Sequence, residues 1–170
     1  WNREAQKAGV RRRVFCASMA DVFEDREDLI EPRAHLAYLI GRTPHLDWLL
    51  LTKRPENIAR LWITEVVPPN VWLGTTCEDQ QRADERIPHL LAVPAAVRFL
   101  SVEPMLGPVR IFDQGCPHPI QTPRGVVLPP GALSWVIVGG ESGAGRRELA
   151  TAWIDDVVGH RARVQHCGQC

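Results

Sequence analysis

The sequence predicts an α/β fold, a partial parallel (β/α) barrel of about five strands with alternating helices. Three observations carry that expectation. Short apolar runs rich in β-branched residues recur along the chain, and such runs suit strands of a buried parallel sheet. The intervals between them are long enough for the crossovers that parallel strands require. Charged or polar residues stand at the C-terminal end of nearly every run, where parallel α/β proteins build their active sites. Ends that converge on one mouth favour a closed or partly closed barrel over an open doubly wound sheet.

Taken in order, Trp1 to Gly9 reads as the end of a helix stopped by Gly9. Arg11-Arg12-Arg13 leads into the first strand and reads as a solvated rim at its base, with a phosphate-contacting patch as the alternative. Val14 to Ser18 is the first strand, on which Cys16 is a small buried hydrophobe rather than a ligand. Residues 31–42 follow helical spacing, with Pro32 in the first turn and Thr43-Pro44 as the stop. Trp48 to Thr52 is the second strand, and Pro55 opens a helix through Ile58, Leu61 and Trp62. Val71 to Thr76 is the third strand. Asp79 is the N-cap of a helix from Gln80 to about Val93, which Pro88 should kink or restart. Val97 to Val102 is the fourth strand. Residues 113–131 hold five prolines and three glycines and read as a surface loop insertion. The fifth strand, Leu133 to Val138, is expected to be buried on both faces and ends at Gly139-Gly140. Those glycines permit a sharp turn or close approach to a ligand. Leu149 to about Val158 is a last helix, and residues 160–170 form an irregular tail.

With 170 residues and 45% hydrophobic composition, one domain with a substantial core is expected. Twenty Lys plus Arg balance twenty Asp plus Glu, so charge does not indicate a nucleic-acid partner. No apolar run approaches a membrane span, and the polar opening is no signal peptide, so a cytoplasmic protein is expected. Five irregularly spaced cysteines do not form a secreted disulfide framework. The absence of an initiating Met reads as a fragment of a longer barrel.

Six pieces then come in order: residues 17–23 (ASMADVF), 51–56 (LTKRPE), 70–74 (NVWLG), 83–88 (ADERIP), 99–108 (FLSVEPMLGP) and 138–143 (VGGESG). Together they closely resemble the phage gene-product thirty-seven/sixty-eight family, found in phages and bacteria, over about residues 1–147. The resemblance implies a radical-SAM-type barrel. It further implies an upstream cysteine loop whose three thiolates hold a [4Fe–4S] cluster, with S-adenosylmethionine on the open iron. This chain has no three-cysteine loop, so no cofactor is expected in the fragment itself. Cys167 and Cys170 supply two thiols, enough for half a zinc site.

Three functional readings are open. In the first, the chain is part of a radical-SAM-like enzyme, and Ser18, Asp21, Lys53, Arg54, Glu78, Glu103, Glu141 and Ser142 line the mouth where a small-molecule ligand and cofactor meet. Carboxylates and hydroxyls there suit amino and ribose groups, while Lys53 or Arg54 suits a carboxylate. In the second, a barrel enzyme without iron uses paired carboxylates such as Glu103 and Glu141 for acid–base work or Mg²⁺. The third is a non-catalytic barrel remnant or binding module whose rim charges neutralise one another. Lys53 and Arg54 are equally consistent with an anion site and with ion pairs to neighbouring carboxylates. Substrate and oligomeric state are not legible.

Overall fold

The computed structural model describes residues 1–64, 66–111, 120–121, 127–128 and 132–158. Helix α1 (Asn2–Ala8) ends at Gly9, whose φ of 66° is the left-handed turn that the terminal glycine was expected to supply. Strand β1 (Arg12–Cys16) follows, then α2 (Ile30–Arg42), β2 (Leu46–Thr52) and a 3₁₀ turn at Pro55–Asn57 running into the short α3 (Ile58–Leu61). Next come β3 (Val71–Thr76), α4 (Gln80–Ala92), β4 (Val97–Val102), a small antiparallel ribbon of β5 (Ile120–Gln121) and β6 (Val127–Leu128), β7 (Trp135–Val138) and α5 (Thr151–Val158).

The main sheet is entirely parallel and runs β1-β2-β3-β4-β7. That sequential order decides the architecture. A doubly wound sheet reverses its strand order midway to place helices on both faces. Here every crossover steps one strand in the same direction. Right-handed crossovers therefore put the helices on one face, and the sheet curls into a half-barrel.

The helix-side face carries the core. Leu50, Val71, Leu73, Leu100 and Val102 pack with Ile40, Ile58, Ala83, Ile87 and Leu90. At the base, the buried Asn70 amide donates to the carbonyls of Ile40 (3.3 Å), Thr43 (3.4 Å) and Leu46 (3.3 Å). It thereby satisfies the end of α2 and the start of β2 together.

Several expectations change. The first strand lies two residues earlier than expected, so Ser18 belongs to the turn that follows it. Pro88 neither restarts nor divides α4, which runs unbroken through it. All four residues of β7 are half-buried rather than covered on both sides, because β7 is an edge strand paired only with β4 among the described residues. The base arginines are not a uniform solvated rim. Arg11 pairs with Asp47 and Arg12 with Glu4, while Arg13 lies over aromatic rings on the concave face. The 113–131 insertion contains the β5–β6 ribbon, and its remainder, like Cys116 and the 160–170 tail with Cys167 and Cys170, lies outside the described residues.

Candidate functional site

A cavity of about 400 Å³ opens at the C-terminal ends of β1, β2 and β3. Its walls bring together Ser18, Asp21, Lys53 and Arg54 of the residues singled out from sequence. They add Phe15, Glu24, Leu51, Thr52 and Thr76, which sequence reasoning did not select. The available signal was a hydroxyl at the end of an apolar run. Thr52 ends a strand whose other residues are largely buried and apolar, so its hydroxyl needs a partner there.

That partner is Asp21, which organises this side of the mouth. Its Oδ1 accepts from Thr52 Oγ1 (2.7 Å) and from the Phe23 backbone N–H (3.0 Å). Its Oδ2 accepts from the Lys53 N–H (3.0 Å) and from Arg54 Nη1 (3.1 Å). Both oxygens are engaged twice, so Asp21 positions the residues around it. The loop leading to it is strained: Ala17 has a φ of 55°, a left-handed conformation that costs an alanine roughly 1–2 kcal/mol. The turn is closed by the Ala20 N–H donating to the Ala17 carbonyl at 3.0 Å. Met19 at its tip is 97% exposed.

Lys53 and Arg54 are both in ion pairs. Arg54 joins Asp21 and Glu24, and Lys53 Nζ lies 3.1 Å from Glu78 Oε1. Arg86 Nη1 holds the other oxygen of Glu78 at 2.8 Å while also donating to Thr76 Oγ1 and the Thr76 carbonyl. Burial pushes the Glu78 carboxyl up, but its hydrogen bonds and the Arg86 and Lys53 charges outweigh that and hold it below the usual carboxylate range. Arg86 was missed from sequence, although it sits beside Ala83, Ile87 and Leu90 in the buried stripe of α4. A cation in an apolar stripe calls for a carboxylate.

The cavity walls include none of Glu78, Glu103 and Glu141; Glu78 reaches the cavity through Lys53. Glu103, just past β4, lies against the backbone beyond β7: a Cβ placed on Gly139 would come within 2.7 Å of Glu103 Oε1. The close approach that Gly139 permits is thus made by a side chain of the protein. The loop is tied in place by Met105 N–H to the Gly139 carbonyl (2.9 Å) and Leu106 N–H to the Glu78 carbonyl (2.8 Å). Among the described residues Glu103 has no ion-pair or hydrogen-bond partner. Glu141 turns to Arg147, which grips both carboxylate oxygens at 2.9 Å and adds its backbone N–H at 3.0 Å. Those bonds lower the Glu141 carboxyl to about 2. Ser142 is exposed beside it.

The two cysteines among the described residues do not make a cluster ligand set. Burial pushes the Cys77 thiol up to about 12 and raises Cys16, and two thiols fall short of the three that one cluster loop supplies. Among the described residues, no group of three or more His, Cys, Asp or Glu is placed to hold a metal ion. No helix among them is long and apolar enough to cross a membrane.

One family model, described as a protein of unknown function (DUF5131), matches residues 1–166. No curated protein and no solved structure matches the chain.

Proposed function

The chain belongs to the DUF5131 family, and we propose that it is the ligand-binding half-barrel of a phage or bacterial cytoplasmic enzyme of radical-SAM type. The observation that carries this reading is the mouth: one cavity lined from three adjacent strand ends, with charged groups continuing past β4 and β7. A half-barrel with its helices on one face offers its strand ends and concave face to a small molecule. The ligand proposed is zwitterionic, with S-adenosylmethionine as the chemical match that the resemblance supplies.

The roles follow from the partners. Asp21 holds the Thr52–Arg54 corner in shape. Lys53, whose side chain is 61% exposed, is the cation able to turn from Glu78 to a ligand carboxylate, since Arg86 still neutralises Glu78. Glu103 is the acceptor for an ammonium group. The two stand just past the ends of β2 and β4, two strand spacings or roughly 10 Å apart at the backbone, and the long Lys53 side chain already spans the first of those spacings to reach Glu78 past the end of β3. The described residues do not supply the thiolates of a [4Fe–4S] cluster, so this part of the chain contributes binding and orientation. Titration calorimetry of the full chain with S-adenosylmethionine tests the proposal. Saturable binding that weakens about tenfold in Lys53→Ala and in Glu103→Gln is expected, the loss of one charge-assisted hydrogen bond each. No saturable heat, or variants that bind like the parent chain, would overturn it.

A second reading is favoured by a specific observation: Asp21, Glu78 and Glu141 each already face a cation of the protein. A rim neutralised in this way describes a non-catalytic binding module. Under that reading Lys53→Ala changes stability slightly and ligand binding not at all.

A further inference from the structure

The concave face of the sheet holds a cation that the mouth does not use. The Arg13 guanidinium carbon lies 4.9 Å from the centre of the Trp72 ring and 5.4 Å from that of Trp135. Those rings are locked into place. Trp72 and Trp135 meet edge to face at 6.2 Å, and Phe99, fully buried, packs on Trp135 at 5.7 Å. The two rings stand at 87° to each other, so the guanidinium can lie face-on to one of them at most, and a cation–π contact supplies no oxygen acceptor for its five N–H donors. The acidic residue opposite Arg13 in the sheet is Asp47, and Arg11 takes it with Nε at 2.8 Å and Nη2 at 2.6 Å. Among the described residues no oxygen accepts from the Arg13 side chain.

Arg13 also stands in line with the cavity. Residues two apart on a strand share a face, so Arg13 lies below Phe15, about 7 Å further from the mouth, and Phe15 is a wall of the cavity. We infer that Arg13 is an oxyanion-binding residue at the floor of the barrel interior. It takes the carboxylate or phosphate end of an elongated small molecule that enters from the strand ends. A planar fork braced by two indoles presents paired donors to such a group with little ordering left to do. The inference rests on the ligand-binding reading of the mouth and specifies the far end of that ligand.

The test titrates the full chain separately with inorganic phosphate and with succinate, following the indole N–H resonances of Trp72 and Trp135 by NMR. Saturable shifts of both resonances with at least one anion are expected, and the stronger of the two identifies the oxyanion. Arg13→Gln should weaken that binding about tenfold or more, and Arg13→Lys, which keeps the charge without the fork, should fall between. If Arg13→Gln does not fold, phenylglyoxal modification of Arg13 in the parent chain replaces it, with protection by the same anion expected. Absence of saturable shifts with either anion, shifts unchanged in Arg13→Gln, or no protection of Arg13 overturns the inference. Anion binding lost in Lys53→Ala but kept in Arg13→Gln also overturns it, by placing the anion at the mouth. S-adenosylmethionine binding that persists in any of those cases leaves the proposed function standing.

Discussion

Replacing Asp21 by Ala removes four accepted hydrogen bonds at once, and the structure sets how much each matters. Thr52 is 2% exposed, and its hydroxyl loses its acceptor where little water can replace it, which costs about 1–2 kcal/mol. The Phe23 N–H is partly buried and adds about 1 kcal/mol. The Lys53 N–H is open to solvent, and Arg54 is 40% exposed and keeps Glu24, so these two add little, about 0–1 kcal/mol together. The sum is about 2–4 kcal/mol. Denaturant unfolding measures it as a shift of the midpoint at unchanged slope. In a chain of this size it corresponds to a fall in Tm of roughly 5–15 °C. The more telling variant is Asp21→Asn, which keeps the shape but turns an amide toward donors. It should destabilise less than Asp21→Ala while disordering the Lys53–Arg54 corner to a similar degree. A loss below about 0.5 kcal/mol for Asp21→Ala, within the range of ordinary surface changes, would refute the view that this carboxylate organises the mouth.

Gly74→Ala should destabilise the protein by about 1–3 kcal/mol, because the new Cβ overlaps the buried Phe99 ring. The penalty should shrink in a Phe99→Leu background, as coupled neighbours require, and equal penalties in both backgrounds would contradict the packing. The Glu141 carboxyl should titrate at about 2 by NMR, and in Arg147→Ala it should return toward the ordinary ~4.3. Because its folded value is depressed, the stability it contributes is complete above the unfolded value and is lost as pH falls through about 2. An unchanged midpoint in Arg147→Ala would contradict that pairing. Cys77 should resist iodoacetamide at pH ~8, near the ordinary thiol value, until the chain is unfolded, with peptide mass spectrometry as the readout. Rapid native labelling would mean that the end of β3 opens readily.

The order of elements was written in the sequence because its causes are local. Gly9 carries its left-handed turn, Asp79 caps α4 through the Arg82 N–H, and Val71–Thr76 and Val97–Val102 are apolar runs bounded by breakers. Charge at the strand ends followed from the same reading, and so did the choice of Ser18, Asp21, Lys53 and Arg54, which the fold gathers at one cavity. Exposure of β7 was not legible, since an apolar run does not say whether a neighbour covers it, and edge position is a property of the whole sheet. Pro88 misled because the rule against proline inside a helix is local, whereas α4 is held by the burial of Ala83, Ile87 and Leu90 on either side of it. Which carboxylate faces which cation was likewise beyond the sequence. Asp21 meets Arg54 across 33 residues, and Glu103 lies against Gly139 from the neighbouring strand. The place of Arg13 over two indoles depended on strand pairing, which alone brings residues 13, 72 and 135 onto one face. Sequence determines what each segment can become by itself; pairing, curl and burial are collective, and only the tertiary structure decided them.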